Sequence, residues 1–298
     1  MQKLLFIVNP AAGQKKIAKH LGDVISLFNR HGYEVTVYMT QASGDGTHIA
    51  MAHAGRFDLV VCAGGDGTLN EVITGLLRGG IDVPIGYIPC GSTNDFASTL
   101  KIPGNVMQAA QIIMDGVPHA HDVGVFGDRY FTYVASFGAF TRTSYTTPQN
   151  VKNALGHLAY WLEGIQELAQ IRPMRMCFLL DGETVEDDFI FGAISNATVV
   201  GGVLTLDSRQ VDLQDGKFEL LLIRAPRDAI ELGECIRALS EQKYDCGMIT
   251  FRSFSKLTVY PNTPITWSLD GERAEGSDRI PIQNLQRAVR IIRKQEET

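Results

Sequence analysis

The stretch that decides the fold is Gly64-Gly65-Asp66-Gly67-Thr68-Leu69-Asn70-Glu71-Val72, which directly follows the apolar run 58–63. Two adjacent glycines after a buried strand let the backbone approach a ligand closely, because no Cβ blocks the approach and positive φ angles are accessible. Apolar residues then recur at helical spacing from Leu69 to Leu77, so the loop opens a helix whose first N–H groups can point at an anion. The stretch therefore predicts a phosphate-binding loop between a strand and a helix.

Two common nucleotide motifs do not account for this loop. The dinucleotide pattern G-x-G-x-x-G requires glycine where Asn70 stands, and the pattern G-x-x-x-x-G-K-[ST] occurs nowhere in the chain. A tight turn without a ligand is the alternative interpretation, since Asp-Gly pairs are ordinary turn residues. The polar residues Asp66, Thr68, Asn70 and Glu71 crowd into one loop, and this favours ligand binding.

Composition narrows the class of protein. The 298 residues suit two domains, and a formal net charge of −6 argues against a general nucleic-acid partner. Five cysteines, an odd number without a C-x-x-C pair, indicate reduced thiols in a cytoplasmic protein. Residues 1–8 read as a strand and not as a signal peptide, and no apolar run reaches the roughly 18 residues of a spanning helix. We therefore expect any membrane contact to be peripheral.

Strands and helices alternate over the first 125 residues. Strands are predicted at 4–8, 33–38, 58–63, 84–88 and 120–125. Helices are predicted from Ile17 to near Gly32, at 69–77 and at 106–114, with a short helix after Thr47. This alternation predicts a parallel sheet covered on both faces, with its ligand loops at the carboxyl ends of the strands. Four segments follow strands and are expected to converge on one crevice: 9–13, Thr40, 64–71 and 89–95.

From Arg129 onward, longer runs rich in aromatic and β-branched residues predict antiparallel strands. The predicted strands are 130–137, 174–180, 189–195, 218–223, 249–260 and 265–269, with helices at 151–170 and 227–241. Asp270-Gly271 read alone is a hairpin signal, and the segment 211–217 read alone is an acidic turn.

Five short motifs occur in order along the chain. They are Asn9-Pro10-x-x-Gly13, Gly64-Gly65-Asp66-Gly67-Thr68-x-Asn70-Glu71, Pro89-x-Gly91-Ser92-x-Asn94-Asp95-Phe96-Ala97, Asp212-x-x-Asp215-Gly216 and Asp270-Gly271-Glu272. Nearly end to end, the chain resembles the diacylglycerol kinase catalytic family of lipid kinases, most closely the soluble enzymes of Gram-positive bacteria. The glycine core alone is also similar to that of NAD kinases and phosphofructokinases, so the five motifs together carry the resemblance.

The resemblance implies a fold and a reaction. The fold is an N-terminal three-layer α/β nucleotide-binding domain (1–124), similar to phosphofructokinase and NAD kinase, followed by a C-terminal antiparallel β-rich sandwich domain (125–298) whose tail can pack back on the first. The reaction is transfer of the γ-phosphoryl group of ATP, with Mg²⁺, to the free hydroxyl of diacylglycerol, giving phosphatidic acid. A lipid substrate at the inner face of the membrane and a homodimer are the implied partners.

The resemblance also assigns residues. The implied nucleotide contacts are Asn9, Pro10, Ala11, Ala12, Gly13, Lys15, Thr40, Gly64, Gly65, Asp66, Gly67, Thr68, Leu69, Asn70, Glu71, Ser92 and Asn94. The implied catalytic magnesium ligands, some acting through water, are Asp66, Asp95 and Asp122. The implied structural magnesium ligands are Asp212, Asp215 and the carbonyl of Lys217. Lys15 is included among the nucleotide contacts because this chain has Gln14 where the close branch often has a basic residue, and Lys15 could supply that charge.

Several alternatives stay open. Glu272 is the candidate general base by its place in the motif, and Asp66 competes for that role. Without the resemblance, Asp95 reads equally well as a residue that favours a helix N-terminus, and Asp122 as a strand-end turn residue. One alternative is a kinase of the same fold whose acceptor is another lipid, such as a sphingoid base or phosphatidylglycerol. The alternative from a different class of protein is a nucleotide- or lipid-binding regulator without catalysis.

Overall fold

The computed structural model describes residues 1–138, 172–197, 199–200, 204–205, 212–241, 243–244 and 246–295. The helix that the sequence predicts at 151–170 lies outside the described residues. The chain forms two compact units, the first made of Met1–Val123 and Gln286–Thr298 and the second of Gly124–Leu285.

The first unit contains a parallel sheet. Its strands are β1 (Gln2–Val8), β2 (Tyr33–Met39), β3 (Leu59–Gly64) and β4 (Ile85–Pro89), in the order β2-β1-β3-β4. The strand β17 (Ile280–Arg293) lies beside β4 in parallel register, with Ile291 opposite Ile85, and β5 (Val117–Phe126) pairs with β17. Central strands read as continuous apolar runs because both of their faces are covered.

Helices connect these strands. They are α1 (Leu21–Arg30), α2 (Asp45–His53), α3 (Asp66–Gly79), α4 (Asp95–Thr99) and α5 (Val106–Asp115), with 3-10 segments at Ala12–Lys19 and Ala54–Arg56. Asn105 caps α5 by accepting the N–H groups of Met107 and Gln108. Left-handed Gly80 ends α3. The apolar face of α1 packs on the sheet, where the Phe28 ring meets Phe6 edge-on at 5.7 Å.

The prediction of a single helix from Ile17 to near Gly32 is wrong in one respect. The segment begins as a 3-10 helix, in which the His20 N–H donates to the Ile17 carbonyl, and α1 starts only at Leu21. The apolar periodicity runs through both helix types, because positions three and four apart share a face in each.

The second unit is antiparallel. Its strands are the end of β5, then β6 (Arg129–Phe131), β7 (Val134–Gly138), β8 (Met174–Leu180), β9 (Glu183–Ser195), β10 (Val199–Val200), β11 (Leu204–Thr205), β12 (Phe218–Arg224), β13 (Ile249–Phe254), β14 (Lys256–Pro261), β15 (Thr266–Leu269), β16 (Glu272–Glu275) and the start of β17. Helix α6 (Ala229–Ser240) follows β12.

Strand β9 organises this unit because it pairs with three neighbours. Its first half pairs with β8, and its second half lies between β7 and β12. Rings from different strands meet across the core: Phe178 contacts Phe137 and Phe189, and Trp267 contacts Phe137 and Phe126. A mixed α/β chain with an antiparallel second unit confirms the predicted fold class.

Two strands predicted as continuous are broken. The segment 130–137 divides into β6 and β7 because the N–H groups of residues 132–134 donate to the Asp270 carboxylate. The segment 249–260 divides into β13 and β14, and there the N–H groups of Ser255 and Lys256 donate to Asp181. In both places an aspartate from a distant Asp-Gly turn takes up donors at the break in the strand.

Among the helices that the structure describes, none is long and apolar enough to cross a membrane.

An ion pair between Arg224 and Glu231 connects β12 to α6. The Arg224 guanidinium donates to both carboxylate oxygens of Glu231 at 2.7 and 2.9 Å, and Glu231 also accepts the Arg227 N–H at 2.8 Å. The side chains are only 15% and 23% exposed, and the geometry is bidentate. Hydrogen bonding from Arg224 lowers the pKa of Glu231 to about 2.

We predict that Glu231→Gln lowers the melting temperature by a few degrees at pH 7. Because the pKa of Glu231 is depressed in the folded state, the stability it contributes is present above its ordinary pKa and is lost as the pH falls toward about 2. The difference between wild type and variant should therefore shrink on acidification, as followed by circular dichroism. Glu234→Gln, at an exposed position of the same helix, is the control, and an equal effect of both variants would contradict the assignment.

Candidate active site

Three loops of the first unit meet at the carboxyl ends of β1, β3 and β4. A Cβ placed on Gly91 would lie 2.7 Å from the Cα of Gly65, and one on Gly13 would lie 1.7 Å from the Cys90 carbonyl oxygen. Any larger residue at either position would displace backbone. The glycines that the sequence singles out are therefore required by close packing of the loops, whatever ligand they bind.

Hydrogen bonds fix the first two loops to each other. Asn9 donates through Nδ2 to the Thr68 hydroxyl at 3.0 Å, and its Oδ1 accepts the Ala11 N–H at 3.0 Å. A Cβ on Gly64 would lie 2.5 Å from Thr68. The Asn9 and Thr68 side chains are thus built into the loops that carry them.

Asn94 shapes the third loop. It adopts a left-handed conformation with φ +54°, and its side chain binds Gly91 twice, accepting the N–H at 2.9 Å and donating to the carbonyl at 2.8 Å. The Tyr87 hydroxyl lies 3.4 Å from the Gly64 carbonyl and 3.5 Å from Asn94 Oδ1. Burial, reinforced by the charge of Asp66, raises the pKa of Tyr87 well above its ordinary value. Sequence reasoning missed Tyr87, which reads there as a strand residue.

Asp66 and Asp95 are brought together. Asp66 begins α3, and its Oδ2 accepts the backbone N–H of Asp95, the first residue of α4, at 3.1 Å. One carboxylate therefore connects the starts of two helices. Both helix starts also favour negative charge.

His121 and Asp122 are buried neighbours in β5. His121 packs edge-on against Phe96, the residue after Asp95, with ring centroids 6.1 Å apart. Burial, with the charges of Arg293 and His119, lowers the pKa of His121 to about 3, so the ring is neutral. Asp122 is 1% exposed, and its Oδ1 accepts the Arg287 N–H at 2.7 Å. Within the described ranges, no three His, Cys, Asp or Glu side chains are grouped closely enough to hold a metal ion directly.

Glu71 has a structural task. Its carboxylate accepts the N–H groups of Gly44 and Gly46 at 2.7 and 3.0 Å, and its backbone carbonyl accepts the Thr47 hydroxyl. These bonds join the start of α2 to α3. A Cβ on Gly46 would lie 2.8 Å from Glu71 Oε2, which explains the glycine there.

Among the remaining residues predicted to contact the nucleotide, some are buried and others are at least partly accessible to solvent. Thr40 is buried, and its N–H donates to the Val8 carbonyl. The Leu69 side chain is fully buried in the core, so only its backbone can face a ligand. Those at least partly accessible are Pro10, Ala11, Ala12, Gly67, Asn70 and Ser92. The Lys15 side chain lies outside what the structure describes, and Lys16 donates to the Gly104 carbonyl at 2.6 Å.

In the second unit, Asp270 fixes the hairpin that carries Glu272. Asp270 is buried, with φ +49°, and its two oxygens accept the N–H groups of Thr132, Tyr133 and Val134 and the Thr132 hydroxyl. Burial raises the pKa of Asp270, and these four donors oppose the shift. Glu272 begins β16, 54% exposed and 3.7 Å from the Arg129 guanidinium, which also donates to the Arg273 carbonyl.

The predicted second carboxylate site is a compact turn. Asp212 and Asp215 each accept a backbone N–H two residues ahead, and the Lys217 carbonyl accepts Asn284 Nδ2 at 3.0 Å. Glu219, which sequence reasoning missed, is 4% exposed beside them. The sequence feature that could have identified Glu219 is an acidic residue inside the otherwise apolar strand β12. Burial, then the charge of Asp215, raises the pKa of Glu219 to about 7.

Fold and site together define an α/β protein with glycine loops and carboxylates at the ends of parallel strands. Residues 3–126 match the diacylglycerol kinase catalytic domain. The chain is 32% identical over 298 residues to a diacylglycerol kinase of Bacillus subtilis, covering 99% of this chain and 98% of that one. It is 30% identical over 270 residues to a diacylglycerol kinase of Staphylococcus aureus, covering 89% and 84%.

The fold is also found in solved structures. A diacylglycerol kinase from Bacillus anthracis superposes with a TM-score of 0.80 at 23% identity, covering 98% of this chain and 97% of that one. Another crystal structure from that organism gives 0.82, covering 98% and 95%. The chain belongs to the diacylglycerol kinase catalytic family and is an enzyme of that kind, which confirms the resemblance drawn from the motifs.

We predict that Gly91→Ala destabilises the first unit by about 1–3 kcal/mol, because the new Cβ meets backbone at 2.7 Å. Urea unfolding followed by circular dichroism measures the change. Gly104→Ala is the matched control, since no atom lies within 4 Å of a Cβ there, and it should shift stability by no more than about 0.5 kcal/mol. Equal effects would show that the loops are less closely packed than described.

We predict that Asp270→Asn lowers stability by about 1–3 kcal/mol, because the amide NH₂ would face N–H donors that the carboxylate now accepts. Asparagine tolerates a positive φ, so the turn itself is preserved. Asp181→Asn is the control: Asp181 has φ +45° in the same kind of Asp-Gly turn, but its bonds to residues 255 and 256 are exposed. If the two variants melted alike, burial of the Asp270 carboxylate would not be the cause.

Proposed function

We propose that the protein transfers the γ-phosphoryl group of ATP to the free hydroxyl of diacylglycerol, producing phosphatidic acid and ADP. The observation that carries this proposal is the near full-length similarity to the Bacillus subtilis enzyme. It is supported by the position of the motifs, since those of the first unit follow β1, β3 and β4, where ligand loops of parallel sheets collect.

The nucleotide phosphates would lie against the glycine loop after β3. The first N–H groups of α3 have no partner inside the helix and favour an anion, and Gly65 and Gly67 leave the backbone accessible. Asn9 and Thr68 hold this loop against its neighbour. Glu71 holds α2 against α3, so we assign it the role of positioning the loop after β2 rather than of contacting the nucleotide.

Asp66, Asp95 and Asp122 would hold the catalytic Mg²⁺. The donor set fits the ion, because all three are carboxylates and Mg²⁺ prefers a few carboxylates with retained waters. Bridging waters would also agree with the lack of a close three-residue group in the described ranges. When bound, the ion supplies neutralisation of charge on the transferred phosphoryl group. The N–H bonds to Asp66 and Asp122 keep these carboxylates oriented.

Asp212, Asp215 and the Lys217 carbonyl would hold a second, structural Mg²⁺. In support, Glu219 Oε2 is buried without a hydrogen bond from any described residue, and burial, followed by the charge of Asp215, raises the pKa of Glu219. A cation beside three acids would relieve that repulsion.

Glu272 is the residue that we assign as general base. It would take the proton from the lipid hydroxyl as the hydroxyl oxygen forms its bond to the γ-phosphorus and ADP leaves. Its exposure leaves it accessible to a substrate, and Asp270 fixes the turn beneath it. Asp66 is less suited, because one of its oxygens already accepts the Asp95 N–H.

The acceptor is a bilayer lipid, so we propose that the enzyme is cytoplasmic and works at the inner surface of the membrane. All five cysteines are free thiols, which agrees with a reducing compartment. A homodimer is the assembly that the resemblance suggests, and light scattering after gel filtration tests it.

We predict that labelled γ-phosphate passes from ATP to diacylglycerol in mixed micelles with Mg²⁺. Glu272→Gln should lower kcat by about 10²–10⁴ because no base accepts the hydroxyl proton. Asp66→Asn should reduce activity and shift its Mg²⁺ dependence to higher concentration.

Two controls accompany these variants. Glu275→Gln lies in the same strand as Glu272, and Asp58→Asn lies at the opposite end of β3 from Asp66; both should stay within about twofold of wild type. Labelling of a sphingoid base or phosphatidylglycerol instead would overturn the acceptor and leave the fold. Nucleotide binding without transfer to any lipid would favour the regulator.

A further inference from the structure

Arg287 has an unusual backbone conformation for its place in the fold. Five described residues other than glycine have positive φ: Asn94, Lys101, Asp181, Asp270 and Arg287. Asn94 precedes α4, Lys101 follows the end of α4, and the two aspartates open Asp-Gly turns. Arg287, with φ +53°, is the one described case inside a strand, β17. Glycine is the residue that such a position favours.

The protein holds this conformation with a buried carboxylate. The Arg287 N–H donates to Asp122 Oδ1 at 2.7 Å, and Asp122 is 1% exposed. Both residues belong to the first unit. A strained residue that the surrounding structure holds in place is a recurrent feature of functional sites.

The Arg287 side chain is available for a ligand. Arg287 is exposed, and among the described residues its guanidinium makes no hydrogen bond or ion pair. Its neighbour Arg290 differs, because it pairs with Asp82 at 2.9 Å. The guanidinium is always protonated and presents five N–H donors in a planar fork.

The surroundings of Arg287 identify the chemistry it would bind. The Arg287 backbone lies directly against Asp122. Under the proposed function, Asp122 is one of the three carboxylates beside which phosphate groups arrive. A phosphate oxyanion matches the guanidinium fork with two parallel hydrogen bonds.

We propose that Arg287 is a phosphate-binding residue, presented beside Asp122 by its left-handed backbone. The inference rests on the proposed function and adds a residue to it. The phosphate belongs either to the nucleotide or to a phospholipid, and the experiment distinguishes these sources.

The test combines binding with stability. In Arg287→Gly the guanidinium is lost while the backbone strain is relieved, so the melting temperature should not fall. Calorimetry should nevertheless show about tenfold or weaker binding of a non-hydrolysable ATP analogue, with AMP unchanged. Lys101→Gly is the matched control, since it relieves the same kind of strain at an exposed residue of the first unit and should leave binding as in wild type.

A second variant and a second arm complete the test. Arg287→Asn tolerates the backbone conformation without the charge and should behave like Arg287→Gly, which keeps the test decisive if the glycine variant misfolds. Loss of binding to phosphatidic acid vesicles, compared with phosphatidylcholine vesicles, would assign the phosphate to the lipid. Unchanged binding in both arms, with wild-type transfer activity intact, overturns the role of Arg287 alone. Absence of transfer in the wild type overturns the proposed function instead.

Discussion

The structure depends on carboxylates that accept backbone N–H groups where the regular ladders end. In each case a carboxylate accepts hydrogen bonds from backbone N–H groups. The pairs are Asp270 with residues 132–134, Asp181 with 255 and 256, Asp66 with Asp95, Glu71 with Gly44 and Gly46, and Asp122 with Arg287. A buried donor without an acceptor costs about 1–3 kcal/mol, and a bond to a charged group contributes about 1.5–3 kcal/mol. These side chains therefore determine where strands break and how loops join, and three of them belong to the motifs that mark the family.

The same interaction explains which parts of the fold could be predicted. Strands β1, β3 and β4 are continuous apolar runs, and local composition was sufficient to find them. The breaks at residues 132–134 and 255–256 could not be found, because the aspartate that serves the first break lies up to 138 residues away in sequence. Strand β17 was missed for a related reason: its pairing with β4 is fixed by residues that lie far apart along the chain.

At the site, the positions of the loops could be predicted from the sequence, whereas the roles of individual residues in those loops could not. Glycine spacing located the loop after β3, and the order of the motifs identified the family. The distribution of roles among the polar residues needed coordinates. Glu71 joins two helices, the Leu69 side chain is core, and Tyr87 supports the Gly64 carbonyl. Contacts between residues that lie far apart in sequence, such as that between His121 and Phe96, produce no periodic pattern in the sequence.

Strand β17 also bears on how the chain is made. Ile291 pairs with Ile85, so roughly 200 residues separate β4 from the strand that covers its edge. At a synthesis rate of about 5–20 residues per second, that edge waits about 10–40 s for its partner. An uncovered strand with unpaired N–H and C=O groups is a template for pairing with other chains. Until β17 has been synthesised, the open edge of β4 is therefore exposed to pairing with other chains.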